Sequence, residues 1–496
     1  MTLVTIWWLL FWTAVGLCVG SFLNCVIYRI PRDRSLRVPL WSACPHCRKR
    51  IHWYDNIPIL SFVLLRGRCR HCGVPIATRY IVVELTSAMI VLLLLDAFFI
   101  GHARSGLTAS SLRLTEQLAN DWPIFAAHIV LFSCLLAMSA IDLEHYWVDI
   151  RFTNLVTVAG FVLHTLWTPR HSHLWPRPLD TTAVVSIFAL CGLGLVWVVL
   201  TCQPQEDEPE PQGPAPEQVG NGPAVGTIQS LPPSLSAPSR MAGWFAGVLF
   251  ALLLLALCLD ATEQVSLRYI GRPAPILILF FFLVLSENTV LRHTDQAIVE
   301  AIHDERHEAR RMVLFEFSLL VPALVFGLIG YWLMQGGGEL PGRVGQALDH
   351  EFSLPGLAFM RHWAPLNGFA TAASGYILAG AIGWGVRILF TLAFGKEAFG
   401  VGDIHLMAAT GCVAGWPVVA IGFLLCCPLA LLGWAATLPF KRTRALPLGP
   451  WLALSFLIVV LFYDPILRLP MVARSVDVIE WIFLRESQAV NFGGLP

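Results

Sequence analysis

Residues 122–141 read WPIFAAHIVLFSCLLAMSAI, twenty residues without an Asp, Glu, Lys or Arg, and the residue that follows is Asp142. Wound as a helix at about 1.5 Å per residue, this stretch measures about 30 Å, the thickness of a bilayer's hydrocarbon core. Comparable apolar stretches lie at 4–25, 79–100, 150–168, 182–201, 241–259, 274–291, 313–334, 368–394, 417–438 and 449–467, with a shorter one at 405–415. The pattern predicts an all-α fold, a polytopic transmembrane helical bundle of about 11–12 spans. The eleven residues of 405–415 are too few to cross alone and read as a half-helix or a shallow span. Composition agrees, because only 13% of the 496 residues are charged and 56% are hydrophobic, whereas a soluble domain carries roughly 25% charged residues. A soluble enzyme is excluded. Lys plus Arg (33) balance Asp plus Glu (33), so no excess charge points to nucleic acid, and the expected surroundings are a lipid bilayer. The first stretch has neither a basic n-region nor a small-residue cleavage site behind it, so it reads as a retained span.

The few charges are unevenly placed. Residues 29–80 hold eleven basic residues against Asp33 and Asp55, which by the positive-inside rule makes this loop cytoplasmic and the N-terminus external. Counting spans from there puts 142–149, 202–240, 292–312, 395–404 and 439–448 on the same side, and Arg292, Arg306, Arg310, Arg311, Lys441, Arg442 and Arg444 fall there too. Segment 203–240, rich in Pro, Glu, Gln, Gly and Ser, reads as a disordered linker. Segment 292–312 interleaves alanines and isoleucines with charges and reads as a charged surface helix. His303 and His307 share one face of it, but Asp304-Glu305-Arg306 between them does not place Glu where a zinc-protease helix needs it, so the solvated helix is preferred to a metal site.

Nine of the thirteen cysteines lie within or at the ends of apolar stretches, where Cys behaves as a small hydrophobe. The other four form Cys44-Pro45-His46-Cys47 and Cys69-Arg70-His71-Cys72, a C-x2-C-x21-C-x2-C pattern. That spacing suits two tight turns that each supply two thiolates to one tetrahedral Zn2+. A reducing cytoplasm would keep the thiols available, and that is where the charge bias puts the loop. Four thiolates leave no open position for water, so the expected zinc is structural, and the loop is a small cytoplasmic zinc-binding domain. His46 and His71 read as bystanders. Two disulfides, or four unrelated cysteines, are the competing reading.

Ionisable residues in spans are costly, which makes two aspartates conspicuous. Asp142 closes one span and Asp403 ends Phe399-Gly400-Val401-Gly402-Asp403 just before the short one. Span counting, with no chemistry assumed, places both at the cytoplasmic face. Two carboxylates brought close cannot both ionise, so one holds a proton while the other takes one from a water attacking a peptide carbonyl. Gly400 and Gly402 would let backbone approach an extended substrate. The bland alternative is a pair of ordinary helix caps.

Taken together, these residues resemble the type IV prepilin peptidase family. The resemblance rests on Gly20-Ser21-Phe22-Leu23-Asn24, the two CxxC turns, Trp53-Tyr54-Asp55-Asn56-Ile57-Pro58, Arg66-Gly67-Arg68, Arg79-Tyr80, Glu84-Leu85, Ile141-Asp142-Leu143-Glu144-His145, Gly395-Lys396-Glu397, the Gly400 to Asp403 motif and Pro447-Leu448-Gly449-Pro450. It covers about 1–168 and 367–465. It implies a bifunctional enzyme of the cytoplasmic (inner) membrane that cuts the leader from prepilins and pseudopilins after a glycine and then methylates the new N-terminus with S-adenosylmethionine. Carried over, Asp142 and Asp403 are the catalytic dyad, Gly400, Gly402 and His405 belong to the active-site loop, and Cys44, Cys47, Cys69 and Cys72 are the metal ligands. No S-adenosylmethionine fingerprint is readable, so that cofactor rests on the resemblance alone.

The chain departs from the family at three places. His405 stands where Lys is usual, two residues after the second aspartate. Tyr146-Trp147-Val148-Asp149 replaces the Pro-Asp or Pro-Asn that tends to follow the first, leaving Asp149 as a reserve candidate. Region 170–366 is extra, with four predicted spans, an even number that keeps Asp403 on the side of Asp142. The expected division is a first span at 1–28, the zinc loop at 29–80, helices with the first aspartate at 81–168, the insertion at 170–366, peptidase helices at 367–467 and a tail at 468–496. Two other readings stay open: a presenilin-like GxGD protease with other substrates, and a non-catalytic scaffold or transporter of the same fold, which His405 keeps alive.

Overall fold

Inside a bilayer every backbone N–H and C=O must be satisfied within the segment, so long apolar stretches become helices. The computed structural model describes residues 3–36, 41–108, 112–145, 148–167, 181–202, 275–280, 309–335, 363–397, 399–437 and 447–474. Its long helices are α1 (Leu3–Arg29), α2 (Arg79–Leu95, running on as a wider turn to Ile100), α3 (Leu114–His145), α4 (Ile150–Thr165), α5 (Thr181–Cys202), α6 (Ala309–Gln335), α7 (Ala364–Phe394), α8 (Val401–Ala414), α9 (Trp416–Thr437) and α10 (Gly449–Leu461). Among the described residues seven helices are long and apolar enough to cross a membrane, while α8 and α10 are shorter. The fold is an all-α membrane bundle, and no strand occurs among the described residues beyond two isolated bridges.

Ten of the twelve apolar stretches therefore appear as helices; 241–259 lies outside the described residues, and of 274–291 only 275–280 is described, as helix. α8 has 14 residues, about 21 Å at 1.5 Å per residue, in keeping with the half-helix reading of 405–415. α3 starts earlier than the apolar stretch, at Leu114, because the polar residues of its first turns are buried: Gln117 and Asp121 are each 3% exposed. The charged segment 292–312 is described only from Ala309, which begins α6 directly. Its first part and the linker 203–240 lie outside the described residues.

The core gathers around α2, where Leu92, Leu93, Leu94 and Leu95 are fully buried, and around Phe125, Phe132, Trp451 and Phe456 of α3 and α10. α1 lies close along α2: an added Cβ at Gly16 or Gly20 would fall 2.6 Å from the Cα of Ala88 or Glu84. Small residues four apart permit such an approach between membrane helices. Asn24 Nδ2 also donates to the Tyr80 carbonyl at 2.9 Å. α8 packs between α7 and α4, α10 packs on α3 and α9, and α5 pairs with α6 against α7. Trp7, Leu10, Trp197, Phe315, Leu328 and Leu424 face outward, as lipid-facing side chains do.

The end of the bundle away from Asp142 is closed by buried polar groups. Arg104 meets His128 Nε2 at 2.7 Å and donates to the Ala414 carbonyl at 2.9 Å, satisfying the C-terminal end of the half-helix α8. Asp121 accepts from the Thr108 N–H and from Trp167 Nε1, tying the start of α3 to the loop after α4.

Candidate active site and metal loop

Three helix ends meet around the first aspartate. Asp142 sits in the last turn of α3 and is 6% exposed. The N–H of Gly449, the first residue of α10, donates to Asp142 Oδ2 at 3.2 Å. Glycine at 449 suits this approach, since an added Cβ would lie 2.7 Å from that oxygen and would push the carboxylate aside. A helix's first N–H groups have no intrahelical partner and carry the positive end of its dipole, so this contact both orients Asp142 and favours a negative charge there.

Asp403 lies in the first turn of α8, with Gly400 just before the helix. This helix packs on α3, so helices that carry two carboxylates some 260 residues apart in the chain lie side by side. Gly402 leaves room for Val148, whose Cβ would be 3.0 Å from an added Cβ, and the start of α8 thereby seats against the turn between α3 and α4. His405 is half-buried in the next part of α8. The reserve candidate Asp149 plays a different part: it begins α4, accepting from the Arg151 N–H and pairing with the Arg151 guanidinium, both at 2.8 Å. That is an N-cap.

An ion pair between Arg79 and Glu144 ties the start of α2, where the basic loop ends, to the end of α3 two residues past Asp142. Both residues stand in motifs quoted above, yet nothing in one dimension matches two residues 65 apart.

In the loop, the four sulfurs of Cys44, Cys47, Cys69 and Cys72 all lie within 4.8 Å of one another. A tetrahedron of thiolates about 2.3 Å from zinc has edges of about 3.8 Å, and Cys44 Sγ to Cys72 Sγ is 3.9 Å. The donor set could hold a zinc ion. The two turns are built alike. Cys44 N–H donates to the Lys49 carbonyl and Arg48 N–H to the Cys44 carbonyl; Cys69 N–H donates to Val74 and Gly73 N–H to Cys69. Each turn needs a left-handed residue after its second cysteine: Gly73 at φ 68° and, in the first turn, Arg48 at φ 56°. Burial pushes the Cys44 thiol up to about 11, whereas backbone N–H groups of Cys72 and His71 bring Cys69 down to about 7.

Arg48 carries the strain that glycine avoids in the second turn. Arg48→Gly is expected to stabilise the first turn by about 1 kcal/mol. Hydrogen exchange of the amides in 42–51 should slow about fivefold, and unchanged or faster exchange would contradict this.

The Trp53 to Pro58 stretch packs on the second turn. Arg70 makes a two-pronged pair with Asp55 at 2.7 and 2.6 Å, and those hydrogen bonds hold the Asp55 carboxyl below the usual carboxylate range. Ile59 N–H donates to Glu84 Oε2 at 2.9 Å, which anchors the loop on α2.

Residues 14–98 match the model of the bacterial peptidase A24 N-terminal domain. Over this stretch the chain is similar to that domain. It is 40% identical over 149 residues to the prepilin leader peptidase/N-methyltransferase of Myxococcus xanthus, covering 30% of this chain and 38% of that one. It is 36% identical over 168 residues to the type 4 prepilin-like proteins leader peptide-processing enzyme of Escherichia coli, covering 30% and 54%. With the prepilin leader peptidase/N-methyltransferase of Burkholderia pseudomallei strain 1026b it shares 32% over 217 residues, covering 39% and 60%. The chain therefore spans from about two fifths to three fifths of these relatives' length. No solved structure matches. The match at 14–98 includes all four cysteines of the loop, and both aspartates lie beyond it.

Proposed function

We infer that this chain is a membrane aspartic endopeptidase that removes the leader of type IV prepilins or pseudopilins, after a glycine and at the cytoplasmic face of the inner membrane. What supports this reading is Asp142 in the last turn of α3, held by the Gly449 N–H, with Asp403 in the first turn of α8, a helix packed on α3, in a chain whose relatives bear prepilin peptidase names. One carboxylate takes a proton from water as the water attacks the scissile carbonyl, and the other, protonated, donates to the carbonyl oxygen. Asp142, held by the Gly449 N–H, is the better placed to stay ionised and act as base; Asp403 is then the acid. Gly400 precedes α8 and would let an extended segment approach its mouth, Gly402 seats that mouth against Val148, and His405 lines the same turn of helix. The cysteine loop would hold Zn2+ through Cys44, Cys47, Cys69 and Cys72, and the ion would serve to cross-link the two turns of the loop.

N-methylation of the new N-terminus with S-adenosylmethionine is the second half of the activity that the relatives' names carry. A hollow of about 490 Å3 on the outside of α9 is lined by Cys427, Ala430, Leu431 and Trp434, with no acidic group to meet a sulfonium, so it does not fit S-adenosylmethionine.

The test is co-expression with a prepilin that has a short basic leader ending in Gly. The expected product begins at the residue after that glycine, read by intact mass. An uncut prepilin beside correctly inserted protein would favour the scaffold reading, and cleavage confined to unrelated single-span substrates would favour the presenilin-like one.

A further inference from the structure

The region 170–366 contributes α5 and α6, which pack on each other and on α7, and α6 reaches the loop that leads to Asp403. Arg387 of α7 is 4% exposed inside the bundle. Its Nε and Nη2 donate to the two carboxylate oxygens of Glu316 in α6, each at 2.8 Å. Its remaining nitrogen, Nη1, donates to Glu397 and to the carbonyl of Phe399. One guanidinium therefore joins the inserted helix to two points of the segment 395–400. The next residues are the Gly400-Val401-Gly402-Asp403 run.

A second contact comes from the same helix. Gly395 ends α7 in a left-handed conformation at φ 66°, and an added Cβ there would be 3.2 Å from Arg310 Nη2 of α6. Arg310 thus covers the turn at which the loop begins, and Ala309, Met312 and Val313 line a small hollow with Arg387, Thr391 and Glu397. An acidic residue in an apolar helix is costly unless paired, and Glu316 has its pair here. A bidentate Arg–carboxylate fork fixes direction as well as distance.

We propose that Glu316 is a positioning residue of the peptidase site: by orienting Arg387 it sets the 395–400 loop and, through it, the place of Asp403 opposite Asp142. The inserted region is then a structural partner of the active site and not an appendage. This rests on the peptidase reading above. With Glu316 neutralised, Nη1 of Arg387 still meets Glu397, but the guanidinium loses the fork that aims it. The loop, which has glycine at 395 and 400, gains freedom, and a dyad that needs close placement loses rate more than affinity.

The experiment uses the full chain in detergent, comparing wild type, Glu316→Gln, Glu316→Asp and the inactive control Asp142→Asn. Two quantities are read: the kcat and KM of leader cleavage, and the rate at which trypsin cuts after the exposed Lys396. Glu316→Gln is expected to lower kcat roughly 10- to 100-fold with KM within about twofold, and to speed the cut at Lys396 about fivefold or more. Glu316→Asp, which keeps the charge, should recover part of both. If Glu316→Gln does not accumulate, Glu316→Asp and Arg387→Lys are read in its place, with the same directions expected. Wild-type kcat together with an unchanged trypsin rate would overturn the proposal. A wild type that cuts no prepilin would instead bring down the peptidase reading, and the trypsin rate would still decide whether Glu316 holds the loop.

Discussion

Asp142→Asn and Asp403→Asn are each expected to lower leader cleavage by about a thousandfold or more, with the proteins still inserted and folded. Asn keeps the shape of Asp and leaves an oxygen that can accept the Gly449 N–H, now at 3.2 Å from Asp142 Oδ2, so the meeting of α3 and α10 survives. What is lost is the exchange of a proton between two carboxyl groups. Because both residues act in one step, the double variant should be little worse than either single one. Asp149→Asn is the matching control: Asp149 caps α4 and pairs with Arg151, so its removal should cost about 1 kcal/mol or less of stability and leave cleavage nearly intact. Leader loss in a time course with purified protein gives all four values. Wild-type rates in either single dyad variant would end the dyad assignment.

The other large effect concerns the metal. The purified protein is expected to carry one zinc, and Cys44→Ser with Cys69→Ser to carry none. Binding to a four-thiolate site is worth about 10–16 kcal/mol near neutral pH, most of which is folding energy for a loop without a hydrophobic core of its own. The described loop fits that view: among its residues 41–78 only Cys44 and Ser61 are buried. The double variant should therefore lose protection from proteases throughout 41–78. Affinity should also depend on pH in a definite sense. Metal-free Cys44, at about 11, is protonated at neutral pH, and Cys69, at about 7, is half so; binding releases those protons, and zinc holds more tightly as pH rises and escapes as it falls. His46→Ala with His71→Ala should keep the zinc. Metal content by mass spectrometry checks each point, and a double cysteine variant with wild-type zinc would refute the site.

Much of the candidate site was visible along the chain for one reason: charge is scarce in it. Asp142 and Asp403 stand at the edges of apolar stretches where a carboxylate is expensive, and the CxxC spacing needs only local turns to bring two sulfurs together. Arg387 and Glu316 carried the same signal, each an ionisable residue inside an apolar stretch, 368–394 and 313–334, and it could have been read. Their pairing could not, since α6 and α7 meet only in the folded bundle. The left-handed Arg48 was hidden for a different reason: the matching turn has Gly73, and nothing local distinguishes an arginine that must adopt that conformation from one that does not.

By itself, the sequence determined that the chain is helical and membrane-spanning, since twenty uncharged apolar residues before Asp142 have one low-cost arrangement in a bilayer, and it determined which four cysteines could share a metal. The tertiary structure alone decided that the Gly449 N–H meets Asp142, that Asp149 is spent on a helix cap, and that Arg387 joins Glu316 of α6 to Glu397 and Phe399. Such contacts depend on which helix faces lie together, and packing over hundreds of residues of chain separation leaves no local mark.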